Sequence, residues 1–421
     1  MLIRIVLFVC FVGLTACSST RLSERNIDLI DQRWQSLLST EQFDNPEAGI
    51  KIPEQDLFAL PDHVVNYLDK YVASIRNRET RYLVLRDWIY DQFRMYNYDI
   101  ETTSSTNELF NGRSINCLSF SILFVAAARH VDLPAQLQLV NSPPYWDLKE
   151  NTSIRNQHVN VATDLKLNSG IYDKYSDIER INWTSSSRTG ALGSHIDSFS
   201  SNKKIHVMDL NPSVINVSYK TEALNDAQAY ALYYSNKSIE SLFKDEFEKA
   251  FENIKLALEH DRYSSTAWNN LGVLLKRKNE GTRAKIVFET ALLADQENLP
   301  AKTNLASILK KLGETTRANE LEKEVEEYRI SNPYYHYALS EDAFAEGKVD
   351  QAIQHLADAV QLKFDEPQFY FSLARCYAKL GDYENTRDSL VMARNHAKAG
   401  EKARYTLKLN DIALASPALK H

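Results

Sequence analysis

The sequence predicts a small α+β domain, with helices packed on a small antiparallel sheet, followed by an all-α array of helical repeats. Glycine accounts for only 12 of the 421 residues, well below the usual share of about 7% and unlike a turn-rich all-β chain. The second half repeats with a period of 34 residues. Three stretches between residues 135 and 210 alternate apolar and polar side chains as strands do. Hydrophobic residues at 44% and charged residues at 25% exclude a wholly disordered chain.

The first segment has the composition of an export signal. Residues 1–16 hold one charge, at Arg4, and an apolar run too short to span a bilayer comfortably; the alternative is a buried N-terminal helix. Leu14-Thr15-Ala16-Cys17 resembles the lipobox of bacterial lipoproteins, which implies cleavage before Cys17 and lipidation of that residue. Ser18 resembles the outer-membrane sorting signal. The expected location is therefore the bacterial cell envelope, lipid-anchored in the outer membrane and facing the periplasm.

Residues 17–59 are predicted to be a tether and an N-terminal helix, and helical patterns cover residues 23–41 and 62–98. Residues 107–120 then run straight into an apolar helix over 122–129. Cys117 therefore falls at a helix N-terminus, where unpaired backbone N–H groups and the helix dipole can lower a cysteine pKa.

Three strand-like segments follow, at residues 135–140, 158–162 and 205–210. His158 lies on the second and Asp209 on the third. A thiol at a helix start, a histidine on one strand and an aspartate on the next is how a thiol nucleophile is assembled. The histidine takes the thiol proton, and the aspartate orients the imidazole.

The order and local sequences resemble the transglutaminase-like superfamily, a papain-like cysteine fold, over residues 60–215. The matching segments are Asn116-Cys117-Leu118-Ser119-Phe120, Gln157-His158-Val159-Asn160-Val161 and Val207-Met208-Asp209-Leu210-Asn211-Pro212. The resemblance implies that Cys117 is the nucleophile, His158 the base and Asp209 the orienting acid. The sequence departs from the family in having Ile115 where glycine is common, and in a long insertion over residues 166–204.

Each of these residues has a plainer interpretation. Cys117 can be an inert buried thiol, His158 an ordinary strand residue and Asp209 a turn-forming residue before Asn-Pro. Trp146 can wall a cleft or be structural. The Ser-, Thr-, Gly- and Asn-rich stretch 184–202 can be a plain insertion or a lid over the site.

The array is expected over residues 231–415, with a capping helix at its end. Five 34-residue blocks carry small residues at one fixed position, and their pattern resembles the tetratricopeptide repeat; these are Ala250, Ala284, Ala318, Ala352 and Thr386. Lys237 replaces a leucine, which predicts that the first block caps the array against the preceding domain. Glu322 occupies a core position and predicts an unusually exposed helix. Cys376 is interpreted as a core residue. The array is either a spacer or a surface for a protein partner.

Three functions remain open from sequence. The leading one is a lipid-anchored, periplasm-facing cysteine hydrolase or acyltransferase, with protease or amidase action favoured, that acts on protein or peptide amides while the repeats recruit a protein partner. The alternative is a non-catalytic lipoprotein scaffold that binds partner proteins. A redox sensor using Cys117 is the third. The net charge of −7 argues against nucleic acid as a partner. Neither a cofactor nor a metal is predicted, because phosphate-loop, HExxH and paired CxxC motifs are missing.

Overall fold

The computed structural model describes residues 22–38, 54, 56–93, 95–99, 102–149, 152–164, 205–210, 221–397 and 402–415. The elements up to residue 223 mix helices and strands: α1 Glu24–Leu38, α2 Asp62–Tyr71, α3 Arg78–Phe93, β1 Asn97–Tyr98, α4 Thr106–Leu109, β2 Ser114–Ile115, α5 Cys117–His130, β3 Gln136–Lys149, β4 Thr152–Asp164, β5 Ile205–Met208 and β6 Thr221–Ala223. The described residues contain no helix long and apolar enough to cross a membrane.

From residue 226 onward the described chain is entirely helical. Its helices are α6 Asp226–Phe243, α7 Phe247–His260, α8 Ser265–Arg277, α9 Gly281–Ala294, α10 Leu299–Lys311, α11 Thr315–Ser331, α12 Pro333–Ala345, α13 Val349–Leu362, α14 Pro367–Leu380, α15 Tyr383–His396 and α16 Lys402–Ala415. The helices pair as α6–α7, α8–α9, α10–α11, α12–α13 and α14–α15. The second helix of each pair starts 34 residues after the previous one. The prediction of an all-α repeat region is confirmed, and so is that of a small antiparallel sheet.

The main sheet has four strands in the order β5–β4–β3–β6, all antiparallel. A separate two-residue parallel pair joins β1 to β2. Helix α5 packs on β3 and β4, with α2 and α3 against its other side. Its side chains from Cys117 to Ala128 are all buried. Helix α5, which begins at Cys117, is therefore the centre of the α+β domain.

The N-terminal helix packs on the repeats. Ile30 is fully buried, and Trp34 meets Trp268 edge-on at 6.5 Å between ring centres. Asn26 Nδ2 donates to the Leu293 carbonyl at 3.0 Å, and Arg33 donates to Thr290 Oγ1 at 2.9 Å. One apolar core consequently runs from α1 through the α+β domain into the repeats as far as Leu321.

The hairpin β3–β4 lies against the repeats as well. Strand β4 contacts α8 and α10, and β3 contacts α12. These three helices are the first members of consecutive pairs, so the chain's own hairpin runs along one side of the array.

Two departures from the repeat pattern have the predicted effects. Lys237 Nζ donates to the Thr103 carbonyl at 3.0 Å, which ties α6 to the α+β domain. Glu322 is exposed, and α11 buries only Ala318, Leu321 and Val325. Beyond α11 the apolar core is interrupted, and separate clusters begin at Tyr337 and Tyr370.

The prediction of a single helix over residues 62–98 is wrong. The helix ends at Tyr71, and a new one starts at Arg78 because Asn77 caps it: its side-chain oxygen accepts from Thr80 N at 2.9 Å. The expectations for residues 1–16, Cys17 and the stretch 184–202 lie outside the described residues, as does the side chain of Trp146.

Candidate active site

Cys117 is the first residue of α5. Asn116 precedes it in extended conformation, and its side-chain oxygen accepts from Ser119 N at 2.8 Å. This cap fixes where the helix begins. Cys117 is 8% exposed, so its thiol sits at the surface of the core, beside helix N–H groups that have no acceptor within the helix.

His158 and Asp209 come together across two neighbouring strands. The register pairs Val161 with Met208, so Asp209, the residue after β5, lies opposite Asn160, two residues after His158 on β4. His158 Nε2 lies 2.6 Å from Asp209 Oδ2, and Asn160 Nδ2 donates to the same oxygen at 3.2 Å. The Asp209 side chain is fully buried and that of His158 is 11% exposed. The carboxylate therefore fixes the orientation of the imidazole.

The imidazole also hydrogen-bonds Cys117. Because Asp209 holds Nε2, the ring nitrogen toward the thiol is Nδ1. Burial alone would raise the pKa of Cys117, but the charge and hydrogen bond of His158, together with the Val159 backbone N–H, hold it below its usual value. Burial alone would lower the pKa of His158, yet Asp209 and Cys117 raise it well above the ordinary value. Both shifts favour a thiolate–imidazolium pair.

Tyr98 is a further residue at the thiol, which sequence reasoning missed. Strand β1 pairs Tyr98 with Ile115, two residues before the nucleophile, and the Tyr98 side chain hydrogen-bonds Cys117. Burial and the neighbouring Cys117 and Asp209 raise the pKa of Tyr98, so its hydroxyl stays protonated as a donor. A two-residue strand has too little periodicity for a sequence to reveal it.

A polar network behind the nucleophile starts in the repeats. Asn236 Nδ2 donates to Thr103 Oγ1 at 3.1 Å, and Glu240 Oε1 accepts from Thr103 N at 2.7 Å. Asn116 Nδ2 donates to the same Thr103 hydroxyl at 2.7 Å. Thr103 is 1% exposed. The first repeat helix thus positions the residue that caps the nucleophile helix.

The structure brings Cys117, His158 and Asp209, the three residues named from the sequence, into one hydrogen-bonded chain, and their catalytic roles stay a prediction. Asn160 has a recoverable signal, because residues two apart on a strand share a face and Asn160 follows His158 at that spacing. The Thr103 network has none, since its members lie 13 and 133 residues apart. Neither Cys117 nor Cys376 forms a disulfide within the described part of the chain.

The comparisons with known proteins bear on the repeats alone. No family model matches the chain, and no curated protein matches it. A solved structure of YrrB, described as a TPR protein with an unusual peptide-binding site, is 23% identical and covers 44% of this chain and 93% of its own, with a TM-score of 0.23. The structure of Pseudomonas aeruginosa pilF is 18% identical and covers 45% of this chain and 90% of its own, with a TM-score of 0.24.

A third structure, MamA 41-end from Desulfovibrio magneticus RS-1, is 18% identical and covers 41% of this chain and 97% of its own, with a TM-score of 0.23. TM-scores this low carry no argument about fold or function. The repeat architecture rests on the helix pairs of this chain itself, and the transglutaminase-like resemblance stays a prediction.

Proposed function

We propose that the protein is a lipid-anchored, periplasm-facing cysteine hydrolase or acyltransferase of transglutaminase-like type, acting on protein or peptide amides. The observation that supports this is the contact of His158 with both Cys117 and Asp209. The anchor would be the lipidated Cys17, and the repeats would recruit the protein partner or substrate.

The proposed reaction uses the thiolate of Cys117 and the imidazolium of His158. Thiolate Sγ of Cys117 attacks the amide carbonyl carbon, and the carbonyl electron pair moves to oxygen. When this oxyanion collapses, the carbon–nitrogen bond breaks, and the imidazolium of His158 gives its proton to the leaving amine. A thioester remains. Water, losing a proton to His158, then attacks the thioester and releases the acid and the thiolate; an amine in place of water would give transfer.

The developing oxyanion needs hydrogen-bond donors. The backbone N–H of Cys117 is one, because it belongs to the first turn of α5. The Tyr98 hydroxyl, already bonded to Cys117, is positioned to be the second. In this role Tyr98 would exchange its bond to sulfur for one to the oxyanion.

The test is the pH dependence of Cys117 alkylation in a chain beginning at Ser18 and carrying Cys376→Ser. An apparent pKa below that of a free cysteine, which rises in His158→Ala, supports the activated pair. Mass spectrometry of peptide-amide substrates then looks for an acyl-enzyme on Cys117. An ordinary pKa that is indifferent to His158→Ala contradicts the proposal.

A second candidate is the non-catalytic lipoprotein scaffold. The low exposure of Cys117, at 8%, with Tyr98 bonded to it, favours this reading, as does the share of the chain given to helical repeats. If the protein is a scaffold, neither the parent nor Tyr98→Phe forms an acyl-enzyme on any peptide amide. Partner binding is then unchanged in Cys117→Ser. If Tyr98 serves the oxyanion, Tyr98→Phe slows acyl-enzyme formation by more than its effect on the thiol explains, since loss of the Tyr98 hydrogen bond to sulfur raises the thiol pKa only modestly.

A further inference from the structure

The fourth helix pair carries a cluster of metal-ligating side chains that the site above does not use. His336 lies near the start of α12, and His355 and Asp358 lie in the middle of α13. Because the two helices are antiparallel neighbours, these positions meet. One ligand atom from each residue lies within 4.8 Å of the other two. We propose that His336, His355 and Asp358 form a Zn²⁺ site.

The tautomer of His336 suits a ligand. Its Nε2 lies 3.2 Å from the Ile330 carbonyl, which can only accept, so Nε2 carries the proton. In the neutral imidazole, this leaves Nδ1 as the lone-pair nitrogen. A second hydrogen bond from a ligating histidine to a backbone carbonyl is the usual support of zinc sites, since it fixes both tautomer and ring orientation.

That lone pair is unsatisfied. His336 Nδ1 is buried and has no hydrogen-bond partner in the described part of the chain. The nearest carboxylate oxygen, Asp358 Oδ2, lies 3.7 Å away, too far for a hydrogen bond. A buried acceptor nitrogen facing a carboxylate oxygen is unfavourable, because two lone pairs oppose each other. A cation between them removes both penalties.

The spacing and donor types match zinc. Bonds of about 2.0–2.1 Å in a tetrahedron place neighbouring donors roughly 3.3 Å apart. The His336–Asp358 pair, at 3.7 Å, is close to this separation, and ligand atoms up to 4.8 Å apart reach it by side-chain rotation. Two imidazoles and one carboxylate are ligands that Zn²⁺ accepts, and three protein ligands leave one position for water. His355 and Asp358 are three residues apart and so share a helix face.

The location of the site indicates a structural role for the ion. The continuous core ends at Leu321, and the next cluster begins at Tyr337. The site joins the end of α11, through the Ile330 carbonyl, to α12 and α13. Bound zinc would therefore stabilise the repeats at the point where apolar packing is interrupted.

The experiment is isothermal titration of tag-free chain beginning at Ser18 with ZnCl₂, in a Cys117→Ser background because the thiol–imidazole pair also binds zinc. We expect one ion per chain, and a loss of affinity of about tenfold to a hundredfold in His355→Gln and in Asp358→Asn. Asp358→Asn preserves size at a half-exposed position and guards against misfolding. Co²⁺ in place of zinc should give a visible d–d absorption that both variants abolish.

The matched control is His130→Gln, which removes a histidine that pairs with Asp69 at 2.7 Å but belongs to no three-ligand cluster among the described residues. Zinc affinity should not change in it. Absence of one-to-one binding, or binding that survives both site variants, overturns the proposal and leaves His336 and Asp358 as a metal-free pair. An equal loss in His130→Gln does so as well. The outcome is independent of the proposed function.

Discussion

The two cysteines that the structure describes are both buried, yet their surroundings shift the thiol pKa in opposite directions. Cys117 opens a helix beside His158, and its pKa falls; Cys376 lies within α14, and burial raises its pKa to about 11. Cys376 packs in the cluster that contains Phe369 and Leu356. Burial alone makes a thiol inert, and at Cys117 the helix start and the cationic His158 offset the effect of burial.

The largest expected difference is in alkylation near neutral pH. We expect Cys117 to react at least about tenfold faster than Cys376, since a lower pKa raises the thiolate fraction more than it lowers the nucleophilicity. Iodoacetamide labelling of Cys117→Ser and Cys376→Ser, followed by peptide mapping, measures the ratio. Equal rates in the folded protein would break the contrast.

Removal of the Asp209 carboxylate should make the reactivity of Cys117 more similar to that of Cys376. Asp209 raises the pKa of His158, so in Asp209→Asn the imidazolium loses its proton at lower pH. The thiolate then lacks its cationic neighbour near neutrality, and alkylation slows about tenfold. NMR titration of His158 checks the direction. Asp69→Asn, beside the exposed His130, is the control and should leave the rate unchanged.

Gly272→Ala should destabilise the apolar core that runs from α1 to Leu321. It should leave the region around Cys376 unchanged. A Cβ at Gly272 would lie 2.4 Å from Phe288 Cε1, whereas one at Gly281 would meet only Leu312 Cδ2 at 3.9 Å. We expect a loss of about 1–3 kcal/mol. Amide hydrogen exchange should rise in α8 and α9 and remain unchanged in α14. Gly281→Ala, as the control, should show no such loss.

Thr103→Val should affect Cys117 without touching Cys376. It leaves the amides of Asn116 and Asn236 without their acceptor, at a cost of about 1–2 kcal/mol. A looser helix cap should slow Cys117 alkylation severalfold. Thr303→Val, where the hydroxyl bonds only the Leu299 carbonyl of its own helix, should not. Equal effects of the two would show that the network does not support the nucleophile.

The smallest effect is expected at the interruption between the two cores. Glu322 pairs with Lys310 at 2.7 Å, and both side chains are half exposed. Glu322→Leu restores the repeat pattern but cannot restore burial, because Leu321 occupies the inward position. The free energy of unfolding, measured by thermal denaturation, should change by less than about 0.5 kcal/mol. A gain well above this would mean that the side chain repacks inward.

The helical repeats and the position of Cys117 at a helix start could be predicted from the sequence. Period and helix starts of the repeats follow from local apolar spacing, and the placement of Cys117 follows from Asn116 and the apolar run of α5. The break at Asn77 was missed because a cap inside an apolar pattern competes with periodicity. Tyr98 and the His336 cluster were missed because their partners are set by tertiary packing rather than by spacing along the chain.

The packing of α1 on α9 has a consequence for the order of folding. Asn26 and Leu293 lie 267 residues apart, so α1 cannot complete its contacts with α9 until the chain as far as residue 293 is present. Contacts of such long range slow folding, and the exposed face of Ile30 and Trp34 would have to be shielded until then. Truncation before residue 281 would remove α9 and leave α1 only its contacts with the α8 region, such as Trp34 with Trp268, even though the segment around Cys117 is complete.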